Sequence, residues 1–102
     1  MDRSSSVGDR PMEELVPHWH HITHDNQAML ERHFQFQDFK TAWAFMEQVA
    51  QLAEEMHHHP HWENVYNQVT IRLTTHDQEN QVTSLDVRMA KAINTLLENN
   101  RF

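Results

Sequence analysis

The chain has 102 residues, the length of one domain whose single core removes roughly 60–70% of its unfolded surface from water without disulfide or metal staples. No cysteine and a single glycine, Gly8, exclude a disulfide framework, Cys-ligated zinc, an iron–sulfur cluster, a thiol nucleophile and glycine-rich phosphate loops. A formal charge of −7, from 15 acidic against 8 basic residues, argues against duplex DNA and anionic membranes, partners that need a basic footprint.

Residues 1–11 are polar and aperiodic and contain Gly8 and Pro11, so they read as a flexible tail ahead of one domain over residues 12–102. Nothing at the start resembles a signal sequence, and no apolar run approaches the ~18 residues of a membrane span, so a soluble, cytoplasmic protein is expected. Met12 to Val16 suits a turn of helix that Pro17 interrupts. Trp19 to Thr23 suits a short strand, His24-Asp25-Asn26-Gln27 a turn, and Ala28 to Phe36 a second strand. In that second strand Leu30, Phe34 and Phe36 share one face, and Glu31, His33 and Gln35 share the other.

The clearest helix begins after Asp38, a good N-cap, and runs towards His57. Phe39, Ala42, Trp43, Met46, Val49, Ala50, Ala53 and Met56 recur at three- and four-residue spacings. Phe45 and Leu52 widen this stripe beyond what one small sheet demands, which points either to a subunit interface or to a helix deeply embedded in its own core. Pro60 pushes His59 out of the helical region and predicts a helix-to-strand corner at the histidine cluster. Between Asn64 and Thr75, Val65, Val69, Ile71 and Leu73 alternate with polar residues, the period of one half-buried strand. After a polar loop from His76 to Gln81, Thr83-Ser84-Leu85-Asp86 matches a capping box that opens a helix buried along Leu85, Met89, Ile93 and Leu96. The sum is an α+β fold, an antiparallel β-sheet covered on one face by two main helices.

Ten histidines set the chemistry, and protonating all of them would reverse the sign of the net charge across the range near pH ~6.5 where free imidazole titrates. His18, His20, His21 and His24 gather near the first strand, where His18 and His20 would share a face; two such ligands with no patterned carboxylate make a weak metal site. The second cluster, His57, His58, His59 and His61, has organised surroundings. Glu54 precedes His58 by four residues, one helical turn, so a carboxylate can orient an imidazole there, as general acid–base work requires. Pro60 fixes the corner, Trp62 offers a flat wall, and Tyr66 and His76 follow along the next strand.

The run Glu54-Glu55-Met56-His57-His58-His59-Pro60, followed by Tyr66, His76 and Asp86, resembles the pterin-4a-carbinolamine dehydratases. Their pattern is an acidic residue, three positions, His-His-Pro, an aromatic, a second histidine beyond nine residues, and an aspartate after a variable loop. Phe36-Gln37-Asp38-Phe39 with Ala42 and Phe45 looks like the start of that family's long helix, and Trp62-Glu63-Asn64-Val65-Tyr66-Asn67 looks like its next strand. The resemblance spans Trp19 to Leu96. It implies a small subunit, assembled as a homodimer or homotetramer, that dehydrates 4a-hydroxytetrahydropterin formed by an aromatic amino acid hydroxylase, with no metal and no organic cofactor. It further implies His58 and His76 as acid–base groups, His59 as a binding and proton-transfer partner, and Glu54, Pro60, Trp62 and Asp86 as substrate-binding residues. Asp86 also reads as a helix cap, and Trp62 and Tyr66 as core aromatics. The alternative from another class is a non-catalytic dimerisation or assembly factor that binds a protein through its long apolar helix; a third is a metal-binding protein built on the histidines.

Overall fold

Two hairpins make the sheet. β1 (His20–His24) and β2 (Gln27–Gln35) form the first, β3 (His61–Val65) and β4 (Gln68–Leu73) the second, in the antiparallel order β1-β2-β4-β3. Helix α1 (Phe39–Met56) joins the hairpins, and α2 (Ser84–Asn99) follows β4. The computed structural model describes residues 16–75, 81–100 and 102; the expected tail, the residues of the expected helical turn before Val16, and loop residues 76–80 lie outside them. The α+β architecture is as expected, and no helix among the described residues is long and apolar enough to cross a membrane.

The turn between β1 and β2 consists of Asp25 and Asn26, both left-handed with φ of 53° and 65°. Asp and Asn tolerate that region, and two such residues give a turn whose twist matches the strands it joins. His18, at φ 76°, lies ahead of β1, so it does not share a strand face with His20 as the spacing suggested.

One strand was expected over residues 64–75, and two are found, broken at Tyr66 and Asn67. Tyr66 sits at φ 51°, and with no glycine available the side-chain amides satisfy the turn. Asn64 Nδ2 donates to the carbonyls of Tyr66 (3.1 Å) and Gln68 (2.9 Å), while Asn67 Nδ2 donates to the Phe36 carbonyl (2.9 Å). Val65 is consequently 70% exposed, whereas Val69, Ile71 and Leu73 are buried as the alternation requires.

The register places Leu30 opposite Leu73 and Phe34 opposite Val69, on the sheet face that packs against the helices. There Phe45 is fully buried among Phe34 (ring centroids 4.9 Å apart), Phe36 (5.0 Å) and Phe102 (5.6 Å). Trp19 is also fully buried, and its indole N–H donates to Asn94 Oδ1 at 2.8 Å, so this large apolar residue leaves no unmet polar group. On the opposite face Glu31 and Arg72 are paired in register and joined at 2.8 Å.

Asp38 caps α1 by accepting the Thr41 backbone N–H at 2.8 Å, and hydrogen bonding from Thr41, its side chain first and then this N–H, holds the Asp38 carboxyl below its usual range. The apolar stripe of α1 divides. Phe45 and Val49 are core, whereas Phe39 and Trp43 stack at 6.3 Å while remaining 46% and 50% exposed. On α2 the capping box is present, but the fully buried stripe is Asp86, Met89, Ala90 and Ile93; Leu85 is only half-buried, so its expected place is taken by Asp86.

Candidate active site

Helix α1 ends before its proline. His57 adopts φ 53°, its N–H bonds the Glu54 carbonyl (3.3 Å), and the His58 N–H bonds the Ala53 carbonyl (3.1 Å). This is the Schellman arrangement that glycine usually completes, here made with histidine. The reversal takes His58 and His59 off the helix axis, and Pro60 then leads into β3.

That geometry corrects the expected pairing of Glu54 with His58. The i,i+4 relation holds only inside a helix, and α1 stops at Met56. Glu54 instead meets His59, with Nε2 2.6 Å from Oε2, in an open pair whose side chains are 63% and 78% exposed. His58 meets Asp86, with Nε2 2.6 Å from Oδ1, in a pair whose side chains are 10% and 0% exposed. The two neighbouring imidazoles are thus each held by a carboxylate, one in a wet setting and one in a dry one.

Asp86 caps α2 and holds His58 at once. Its Oδ2 accepts the backbone N–H of Thr83 at 2.9 Å and the hydroxyl of Thr75 at 2.7 Å, and the Thr75 and Thr83 hydroxyls lie 2.7 Å apart. A buried carboxylate needs this many donors, because the cost of removing it from water is otherwise unmet. Thr75 is not among the residues singled out above, because it has no spacing relation to His58 or Asp86. The only available hint is that it directly precedes His76. His76 itself lies outside the described residues. Trp62 faces Ile71 across the sheet and packs half-buried against the core, and Pro60 is half-buried at the corner. Tyr66 is 64% exposed in the turn between β3 and β4. His61 belongs to the other sheet face, where with Glu31 and Arg72 it lines an open pocket of about 370 Å³. Among the described residues no group of three or more histidine, aspartate or glutamate side chains is placed to hold a metal ion.

The hydrogen bond from His59, and then its charge, hold the Glu54 carboxyl below the usual carboxylate range. A group depressed in the folded state adds stability above its unfolded value, near ~4.3 for Glu, and loses it as pH falls through the folded value. Glu54→Gln is therefore expected to lower the urea midpoint slightly at pH 7 and to match the parent once both are measured below that folded value. A gap of equal size at both pH values would contradict the assignment.

A dry imidazole–carboxylate pair beside a wet one, at the end of a helix on a four-stranded antiparallel sheet, defines a small α+β protein equipped for proton transfer. The model of the pterin 4 alpha carbinolamine dehydratase family matches residues 5–96, and the chain belongs to that family. A provisionally named pterin-4-alpha-carbinolamine dehydratase of Synechococcus sp. (strain WH7803) is 47% identical over 85 residues, covering 83% of this chain and 86% of that one. A protein of the same provisional name from Brucella ovis is 47% identical over 72 residues, covering 71% and 73%. The crystal structure of a transcriptional coactivator/pterin dehydratase from Brucella melitensis superposes with a TM-score of 0.72 at 42% identity, over 83% of this chain and 90% of that one. A pterin dehydratase-like protein described as a RuBisCO assembly factor in the alpha-carboxysome shares the fold, with a TM-score of 0.65 at 23% identity over 76% and 87%.

Proposed function

We propose that this protein dehydrates a 4a-hydroxytetrahydropterin to the quinonoid dihydropterin and water, with His58, His59 and His76 as its acid–base groups. The observation that carries the reading is the pair of adjacent imidazoles, each held through Nε2 by a carboxylate at 2.6 Å. In the reaction the C4a–O bond breaks as the departing hydroxyl takes a proton from a protonated imidazole. The N5–H proton passes to a neutral imidazole, and the N5 lone pair closes the N5=C4a double bond. One proton is supplied and one removed, so groups titrating near neutrality suffice and neither an oxidant nor a metal is consumed. Glu54, Pro60 and Trp62 bound the substrate on this reading, and the protein works in the cytoplasm as a homo-oligomer that recycles the product of an aromatic amino acid hydroxylase.

The test is the decay of freshly generated 4a-hydroxytetrahydropterin with and without the protein. Acceleration proportional to protein concentration is expected, and decay at the spontaneous rate would overturn the proposal. A second reading, docking of another protein through α1, is favoured by the exposed stack of Phe39 and Trp43. A preparation that turns over no carbinolamine but forms a stable hetero-complex lost with Phe39→Ser would establish it instead.

A further inference from the structure

We infer that Asp86, with Thr75 and Thr83, sets the tautomer of His58 and so makes Nδ1 the ring nitrogen that exchanges a proton with substrate. The inference rests on the acid–base reading of His58, but the tautomer itself can be measured without any pterin.

A carboxylate only accepts, so the Thr75 hydroxyl, 2.7 Å from Oδ2, must give it its one proton. The Thr83 hydroxyl, 2.7 Å from Thr75 Oγ1, then donates to Thr75. Oδ2 also takes the Thr83 backbone N–H at 2.9 Å, which leaves Oδ1 for the imidazole. His58 Nε2, 2.6 Å from Oδ1, therefore carries the hydrogen in that bond, and the lone pair of the neutral ring is on Nδ1. Both members of the pair are almost wholly enclosed, with 10% and 0% of their side chains exposed, so water offers no competing partner for Nε2. The same carboxylate that holds the ring also stabilises the imidazolium formed when Nδ1 takes a proton. Asp86, Thr75 and Thr83 are thus positioning residues, and Asp86 acts through His58, not as the substrate contact that the family resemblance implied. The wet pair lacks this enclosure: Glu54 and His59 exchange freely with solvent, which suits a group that returns protons to bulk water.

Asp86→Asn separates this from a merely structural role. The Thr75 hydroxyl and Thr83 N–H donate to the position of Oδ2, so they hold the amide oxygen there and turn the amide NH₂ towards His58. Nε2 must then accept, and the ring hydrogen moves to Nδ1. Nitrogen-15 spectra of histidine-labelled protein, recorded above the imidazole titration range and assigned against His58→Gln, are expected to show Nε2–H for His58 in the parent and Nδ1–H in Asp86→Asn. Turnover is expected to fall by about 10³–10⁴-fold in Asp86→Asn, as when a triad carboxylate becomes an amide. Thr75→Val is expected to lose roughly tenfold, and Thr75→Ser to keep both the parent tautomer and the parent rate. An Nδ1–H tautomer in the parent, or Nε2–H retained in a folded Asp86→Asn, overturns the inference. The parent spectrum decides even if that variant does not fold. Absence of dehydratase activity with the expected tautomers would remove the functional reading and leave the tautomer assignment standing.

Discussion

His58→Gln is expected to lower turnover of 4a-hydroxytetrahydropterin by about 10²–10⁴-fold, the usual worth of a positioned acid–base group, with little loss of stability. Glutamine is chosen because its amide N–H can still donate to Asp86, which is fully buried and 2.6 Å from the imidazole it would lose. His58→Ala removes that donor altogether and is expected to cost a further 1–3 kcal/mol or so of stability, the penalty for a buried acceptor left short of a partner. The comparison separates the chemical role from the structural one: turnover falls in both variants, and the thermal midpoint falls mainly in alanine. His76→Ala is expected to lose turnover as well. Rates at the parent level in both His58→Gln and His76→Ala, with folded protein, would refute the assigned roles.

Phe45→Ala is expected to destabilise the domain by about 3–5 kcal/mol, the range for emptying a buried phenylalanine site. The ring is fully buried and bridges α1 to the sheet through Phe34 at 4.9 Å, and to the chain end through Phe102 at 5.6 Å. Three rigid aromatics around one void cannot collapse to fill it, so the upper part of that range applies. Domains of this size have about 5–15 kcal/mol in total, so a large share of the folded state's advantage disappears. Each kcal/mol moves the melting midpoint of such a domain by roughly 4–8 °C, and a calorimetric scan should register a fall of more than about 12 °C. Trp43→Ala, on the same helix but half exposed, is the internal control, and an equal fall there would show that the core does not centre on Phe45.

How far the fold was legible depended on how local its causes were. The cap at Asp38, the three- and four-residue stripe of α1, the alternation of Val69, Ile71 and Leu73, and the capping box from Thr83 to Asp86 are each written within a few residues, and each is found. The break at Tyr66 and Asn67 was not legible. Val65, Val69, Ile71 and Leu73 keep one alternating phase in the sequence, yet the two-residue turn pairs Val65 with Gln68 and so puts it on the face opposite Val69; the left-handed φ of Tyr66 that makes this turn rests on side-chain amides, with no glycine to mark it. Trp43 and Phe45, two apart and so about 200° around the helix, cannot share a face, but both are apolar and nothing local says which of the two faces is buried.

The same distinction governs the site. The histidine cluster, the proline corner and the neighbouring carboxylates are properties of the sequence alone, because acid–base capacity belongs to the side chain wherever it sits. Which carboxylate meets which imidazole was decided only in three dimensions. Glu54 is close to His58 in sequence, yet the left-handed His57 ends the helix and delivers His59 to it. Asp86 is 28 residues from His58, and the packing of α2 brings them to 2.6 Å. Sequence determined that this protein carries titratable groups suited to proton transfer; tertiary structure determined that one pair is dry and the other wet, because burial and long-range pairing depend on how distant elements pack.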